Sequence, residues 1–175
     1  IETEVLDFFQ SYFSDALPLL ENFPQSFFDN PKGLLATVYA DNWHDGNFCL
    51  IGDAAHAVVP FFGQGMNASF EDCNVLMDCI QKGHNNWSKI FASFYEIRKP
   101  DTDAIANMAI ENYIEMRDLV TKKEFLNIKE TSNILFERFP NRFIPRYNMV
   151  SFTTIPYSEV YRRGVIQAEI INDIN

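Results

Sequence analysis

Apolar residues recur along Val5–Leu20 at 5, 8, 9, 12, 13, 16 and 20, a helical period with Pro18 near its end. This spacing predicts a surface helix that stops before Asn22. Asn30-Pro31-Lys32-Gly33 is turn chemistry, and Leu34–Trp43 (LLATVYADNW) then alternates as a strand does. Asp45-Gly46 is a hairpin turn signal, so Asn47–Ile51 reads as the return strand. Gly65–Gln81 returns to the helical period, with Phe70, Cys73, Met77 and Ile80 on one stripe and Gly83 at its carboxyl end. An aromatic-rich helix is expected over Asn86–Arg98, and Lys99-Pro100 should break it, with Pro100 opening the next helix, Asp101–Val120. A helix over Glu124–Phe139 is stopped by Pro140. Phe143–Thr154 reads as extended or loop, and Pro156–Asp173 closes the chain as a helix. No internal repeat or low-complexity linker interrupts this order.

The candidate chemistry is concentrated in Leu50–Asp72, LIGDAAHAVVPFFGQGMNASFED. A strand that runs into Gly52-Asp53 delivers one carboxylate to the end of a sheet. Gly63 and Gly65 let backbone amides approach a ligand closely, and the helix that follows begins with unpaired, partly positive N–H groups. A carboxylate for hydroxyls beside a helix start for negative charge suits a polyol-plus-phosphate or flavin ligand. Taken singly, both parts are also common as a turn and as a tight packing point. Gly63-Gln64-Gly65-Met66-Asn67-Ala68 fits the loose dinucleotide pattern GxGxxG/A. However, eleven residues separate it from Ile51, and the downstream Lys82-Gly83-His84-Asn85-Asn86 is no second strand with an acid. That fit is a decoy.

A chain of 175 residues with 47% hydrophobic and 15% aromatic content can bury one real core. Its net charge of −10 argues against a nucleic-acid surface. No run approaches the ~18 apolar residues of a membrane span. Ile1-Glu2-Thr3-Glu4 is neither an initiator methionine nor a signal peptide. Cys49, Cys73 and Cys79 form no CxxC pair and read as buried, reduced thiols, while His44, His56 and His84 lack metal spacing. Asn112, on a largely apolar helix face, needs a hydrogen-bond partner; spacing alone favours one within the protein, commonly a backbone carbonyl. Tyr147, alone in a loop, reads as packing with a solvated hydroxyl.

The whole stretch GDAAHAVVPFFGQGMNASFED resembles the second flavin-binding motif of the single-component FAD-dependent aromatic hydroxylases. Within that family, PFFGQGMNASFEDC, NYIEMRD (Asn112–Asp118) and FIPRYNMVSF (Phe143–Phe152) are similar to the kynurenine 3-monooxygenases. The resemblance covers most of the chain. It implies an α/β fold, α+β within this chain: a strand hairpin plus flavin helix, followed by a mainly helical C-terminal part. Residues 1–82 would end a substrate domain and carry the second FAD motif, and 83–175 would cover the substrate pocket. The dinucleotide-binding amino-terminal half, with its GxGxxG turn, would be the partner of this chain, which alone should be inactive. Asp53 would bind the FAD ribityl hydroxyls, and Gly65, Met66 and Asn67 would face the pyrimidine edge of the flavin. Asn112 and Tyr147 would bind the amino-acid end of the substrate, with Pro60, Phe61 and Phe62 lining the ring pocket beside the flavin and Met116 filling the gap between them, whereas His56 would pack or hydrogen-bond rather than act as acid or base. The implied reaction hydroxylates L-kynurenine to 3-hydroxykynurenine with NADPH and dioxygen, with no general base in this chain. The implied location is the cytosolic face of the mitochondrial outer membrane, through an anchor outside the chain. Two other readings stand beside it: a related flavin hydroxylase of another aromatic compound, and a non-catalytic flavin-binding or interaction module.

Overall fold

The computed structural model describes residues 2–83 and 85–174; Ile1, His84 and Asn175 lie outside the described residues. The chain forms two compact units, residues 1–35 and 36–175. In the first, α1 (Glu2–Tyr12) is followed by a single 3-10 turn (Leu17–Leu19) and the short α2 (Gln25–Asp29). The helix expected to reach Leu20 stops at Tyr12. Ser14 and Asp15 compete for the backbone, and the ring of Pro18 would strike the carbonyl of Ser14 in a continued helix. Phe8, Phe9, Phe23 and Phe27 pack on one another, with Phe9 and Phe23 centroids 4.6 Å apart. None of the described side chains of this unit is buried.

In the second unit the expected hairpin forms at its tip. β1 (His44–Asp45) pairs antiparallel with β2 (Phe48–Cys49), in the register His44↔Cys49 and Asp45↔Phe48. Gly46 takes the first loop position at φ +55°, which favours glycine. The long strand expected over Leu34–Trp43 does not form. A strand needs a neighbour for its amides and carbonyls, and the return strand's last backbone bond on this side runs from Leu50 N to Trp43 O (2.7 Å), which leaves the residues before Trp43 without a ladder partner among the described residues. The segment stays extended and is held otherwise. Val38 N donates to Ala57 O (2.8 Å), Tyr39 OH to Asn107 Oδ1 (2.8 Å) and Tyr95 OH to Asp41 O (2.7 Å). The rest is helical: α3 (Asp53–His56), α4 (Gly65–Lys82), α5 (Trp87–Ile114), α6 (Lys123–Arg138), α7 (Arg146–Phe152) and α8 (Tyr157–Ile174). Among the described residues no helix is long and apolar enough to cross a membrane.

The spine is α5, 28 residues long and unbroken through Pro100. Proline removes one helical hydrogen bond, at a cost of ~3 kcal/mol, and the sequence pattern therefore read two helices here. Packing on both sides of Pro100 outweighs that cost. Ile90, Phe91 and Phe94 join one core cluster with Trp43, Ala55 and Cys79. Ile105 and Met108 join a second with Ala68, Met149, Val150 and Val160. At its carboxyl end α5 widens into a π turn, Glu115–Leu119.

Three further expectations are corrected by packing. The buried face of α4 is Ala68, Asp72 and Cys79, so the expected stripe was out of phase: Phe70 and Met77 face outward and Cys73 is exposed. All three cysteines are free, but only Cys79 is buried, with Cys49 intermediate. Phe143–Thr154, expected to be extended or loop, holds a helix, α7, with Pro145 as its N-cap. Gly83 does cap α4, but at φ −84°. A Cβ there would lie 2.2 Å from Ile90 Cγ1, so glycine is needed for close approach rather than for a left-handed turn.

Candidate functional site

The Gly52-Asp53 turn leaves the hairpin in a conformation built for glycine, φ +60° and ψ −141°. A Cβ on Gly52 would also stand 3.2 Å from Ser69 Oγ, one helical turn into α4, so the turn abuts the start of that helix. Asp53 opens the four-residue α3 with its side chain exposed. The chain then crosses Pro60–Gly63, where Gly63 N bonds to Pro60 O (3.0 Å), and enters α4 at Gly65. The first bond of α4 runs from Ala68 N to Gln64 O, so the amides of Gly65, Met66 and Asn67 have no carbonyl within the helix. Met66 and Asn67 are exposed. The turn that carries the exposed Asp53 thus abuts the first turn of the helix whose open start is Gly65–Asn67.

The side chains of the GQG segment work inward. Gln64 Oε1 accepts from Asn67 Nδ2 (2.9 Å) and from Tyr157 OH (2.9 Å), across 93 residues of sequence. Burial, with the Glu71 carboxylate nearby, pushes the Tyr157 hydroxyl up to about 12, so it stays a donor. Asn67 offers a ligand its backbone amide, and one of its two side-chain N–H groups is engaged with Gln64.

Behind the turn lies a charge network that sequence reasoning missed. Asp72 is fully buried, Arg98 is 3% exposed, and His56 is buried with them. Asp72 Oδ2 accepts from Gly52 N (3.0 Å) and pairs with His56 Nε2, while Oδ1 accepts from Arg98 Nε (2.7 Å). Arg98 also donates to Glu71 Oε2 (2.9 Å) and Ala68 O (3.1 Å). Burial alone would raise the pKa of Asp72; the hydrogen bonds from His56, Arg98 and Gly52 outweigh it and hold the carboxyl below its usual value. The signal available in the sequence was the spacing Ala68–Asp72, which puts an acid on the buried face. Arg98, 26 residues on, gave none.

Asn112 and Tyr147 line one cavity of about 280 Å³, with Phe62, Glu115, Lys129 and Arg146 among its walls. Asn112 Nδ2 donates to Phe61 O (2.7 Å) and lies 3.8 Å from Met116 Sδ. Tyr147, half exposed, stacks on Phe62 with ring centroids 5.7 Å apart. Phe61 itself turns to Tyr113 (4.7 Å), so Phe62 is the aromatic wall here, while Phe61 and Met116 stand beside Asn112 outside the lining. Arg146 binds Glu111 and Glu115 (3.2 Å), and Lys129 Nζ donates to Glu115 Oε2 (3.0 Å). Gly164 lets Arg146 lie across α8, since a Cβ there would meet its Cδ at 2.8 Å. These side chains offer paired charges of both signs beside an amide and a phenol, a set suited to a small zwitterion with an aromatic ring. A larger groove of about 720 Å³, between α4 and the start of α5, shares no residue with either region.

Residues 22–89 match the FAD binding domain family. The chain is 45% identical over 95% of its length to a protein of Cytophaga hutchinsonii named kynurenine 3-monooxygenase, covering 37% of it. Proteins of the same name from Myxococcus xanthus and Dictyostelium discoideum are 43% and 39% identical over 96% and 98% of the chain. The chain spans 36–40% of the length of these relatives.

Proposed function

We propose that the chain, similar over nearly its whole length to proteins named kynurenine 3-monooxygenase and matching the FAD binding domain family, is part of such an enzyme with FAD as its cofactor, and that it supplies the flavin-facing and substrate-facing walls of the pocket. The observation that carries this reading is the bond from Asn112 Nδ2 to Phe61 O. It fastens the cavity on α5 to the loop that enters the flavin helix, four residues before Gly65, so ligand wall and cofactor wall are one connected piece.

The residues present fit FAD. Asp53 offers an exposed carboxylate to ribityl hydroxyls, and the amides of Gly65, Met66 and Asn67 offer donors and a positive helix end to the electron-rich pyrimidine edge. FAD, reduced by NADPH, supplies the redox chemistry with dioxygen; the chain's own residues bind, orient and exclude water. The substrate in this reading is L-kynurenine, hydroxylated on its ring. Its carboxylate and ammonium would be met by Arg146, Lys129 and Glu115, with the Asn112 carbonyl oxygen and the Tyr147 hydroxyl completing the set. Phe62 stacks against Tyr147 and limits how the ring can lie. In this reading no residue of the chain acts as a general base, because the electron-rich aniline ring can attack before it loses a proton. The relatives are longer than the part matched here, and in this reading a dinucleotide-binding half would complete the FAD site. A mitochondrial outer-membrane location belongs to the same reading; none of the described helices is long and apolar enough to cross a membrane.

The test is made in the full-length protein. Asn112→Ala and Tyr147→Phe should lower hydroxylation of kynurenine while FAD content stays normal, and should raise the NADPH consumed per product. A ligand misplaced by ~1 Å can cost about 100-fold in rate. Unchanged coupling in both variants would refute the substrate assignment, and a panel of aromatic acids would then identify the compound hydroxylated.

A further inference from the structure

We propose that Asp72 is the positioning residue of the flavin motif: it grips the turn that carries Asp53 at both ends and so fixes where that carboxylate points. The inference rests on the reading that Asp53 holds FAD hydroxyls. A four-residue helix has no stability of its own, because nucleation costs more than its one or two hydrogen bonds return. The direction of α3 must therefore come from outside it. Asp72 Oδ2 supplies it twice, from the Gly52 amide immediately before Asp53 and from the His56 ring three residues after it. Asp53 sits between those two anchors. Gly52 is held at φ +60°, and Ser69 Oγ closes the space a side chain would need there. Arg98 fixes the acid in its turn, through Asp72 Oδ1, Ala68 O and Glu71. Gly52, His56, Asp72 and Arg98 are buried, Glu71 meets Arg98 from the exposed side, and the turn held between the two anchors carries Asp53 to the surface.

A residue that acts through another is recognised by the loss of its effect when that other is removed. FAD affinity is measured by fluorescence titration of the full-length protein in four forms: wild type, Asp53→Ala, Asp72→Asn and the double variant. Asp72→Asn keeps the shape but turns an amide donor toward donors, and should weaken FAD by about tenfold, the size of one such coupling. The double variant should bind no worse than Asp53→Ala alone. Multiplying effects, or an unchanged affinity in Asp72→Asn beside a weakened Asp53→Ala, would overturn the positioning role and leave the site reading intact. An unchanged affinity in Asp53→Ala would overturn the site reading itself. If Asp72→Asn does not fold, His56 serves instead. His56→Ala should weaken FAD, and His56→Gln, whose Nε2 can reach the same acceptor, should restore it; equal affinities in the two would overturn the proposal.

Discussion

Replacing Arg98 by methionine keeps the length of the side chain and its burial but removes the cation from the centre of the second unit. In the wild-type fold the guanidinium makes three hydrogen bonds, to Asp72 Oδ1 (2.7 Å), Glu71 Oε2 (2.9 Å) and Ala68 O (3.1 Å), at 3% exposure. The variant leaves a fully buried carboxylate with only His56 and the Gly52 amide to answer it. Breaking a buried pair by removing one partner costs about 3–5 kcal/mol, because the remaining charge is uncompensated. That is a large share of the ~5–15 kcal/mol of a typical domain. Urea unfolding followed by far-UV circular dichroism should show the midpoint fall sharply at pH 7. The acid limb carries the sign. A carboxyl whose folded pKa lies below its unfolded value of about 3.9 contributes stability above that value and loses it as pH falls through the folded pKa. Without Arg98 one of the bonds that lower the pKa is gone, so the folded pKa rises and the variant should lose less stability between neutral and acid pH than wild type does. An Arg98→Met protein within about 1 kcal/mol of wild type at pH 7, with the same acid limb, would refute the account of this network.

Asp53→Ala removes one charge-assisted hydrogen bond and should weaken FAD by roughly ten- to hundred-fold, with the unfolding midpoint little changed; titration with FAD in the full-length protein decides it. Gly83→Ala forces a methyl group to within 2.2 Å of Ile90 Cγ1, so thermal unfolding should show an overpacking loss of about 1–3 kcal/mol. Pro100→Ala should stabilise instead, by up to ~3 kcal/mol, since it restores the missing amide without disturbing a buried contact; a lower melting temperature would contradict the description of α5.

Local chemistry alone carried several elements. Asp45-Gly46 placed the hairpin, Gly52-Asp53 placed the carboxylate turn, and the spacing from Gly65 placed the flavin helix to within a residue of its end at Lys82. The extended likeness of GDAAHAVVPFFGQGMNASFED carried the cofactor. What the sequence could not carry depended on groups distant along the chain. Pro100 stays inside a helix because two core clusters hold α5 on either side of it. Leu34–Trp43 stays single because a strand is defined by its neighbour, not by its own alternation. Periodicity found α4, yet its buried face turned on Asp72, a charge that hydrophobic patterns count as outward until a guanidinium from α5 and an imidazole from α3 meet it. Tyr157 and Gln64, and Asn112 and Phe61, likewise met only in the fold. Short-range geometry is written in the residues themselves, whereas the sign of a buried charge's contribution depends on partners that only tertiary packing brings within reach.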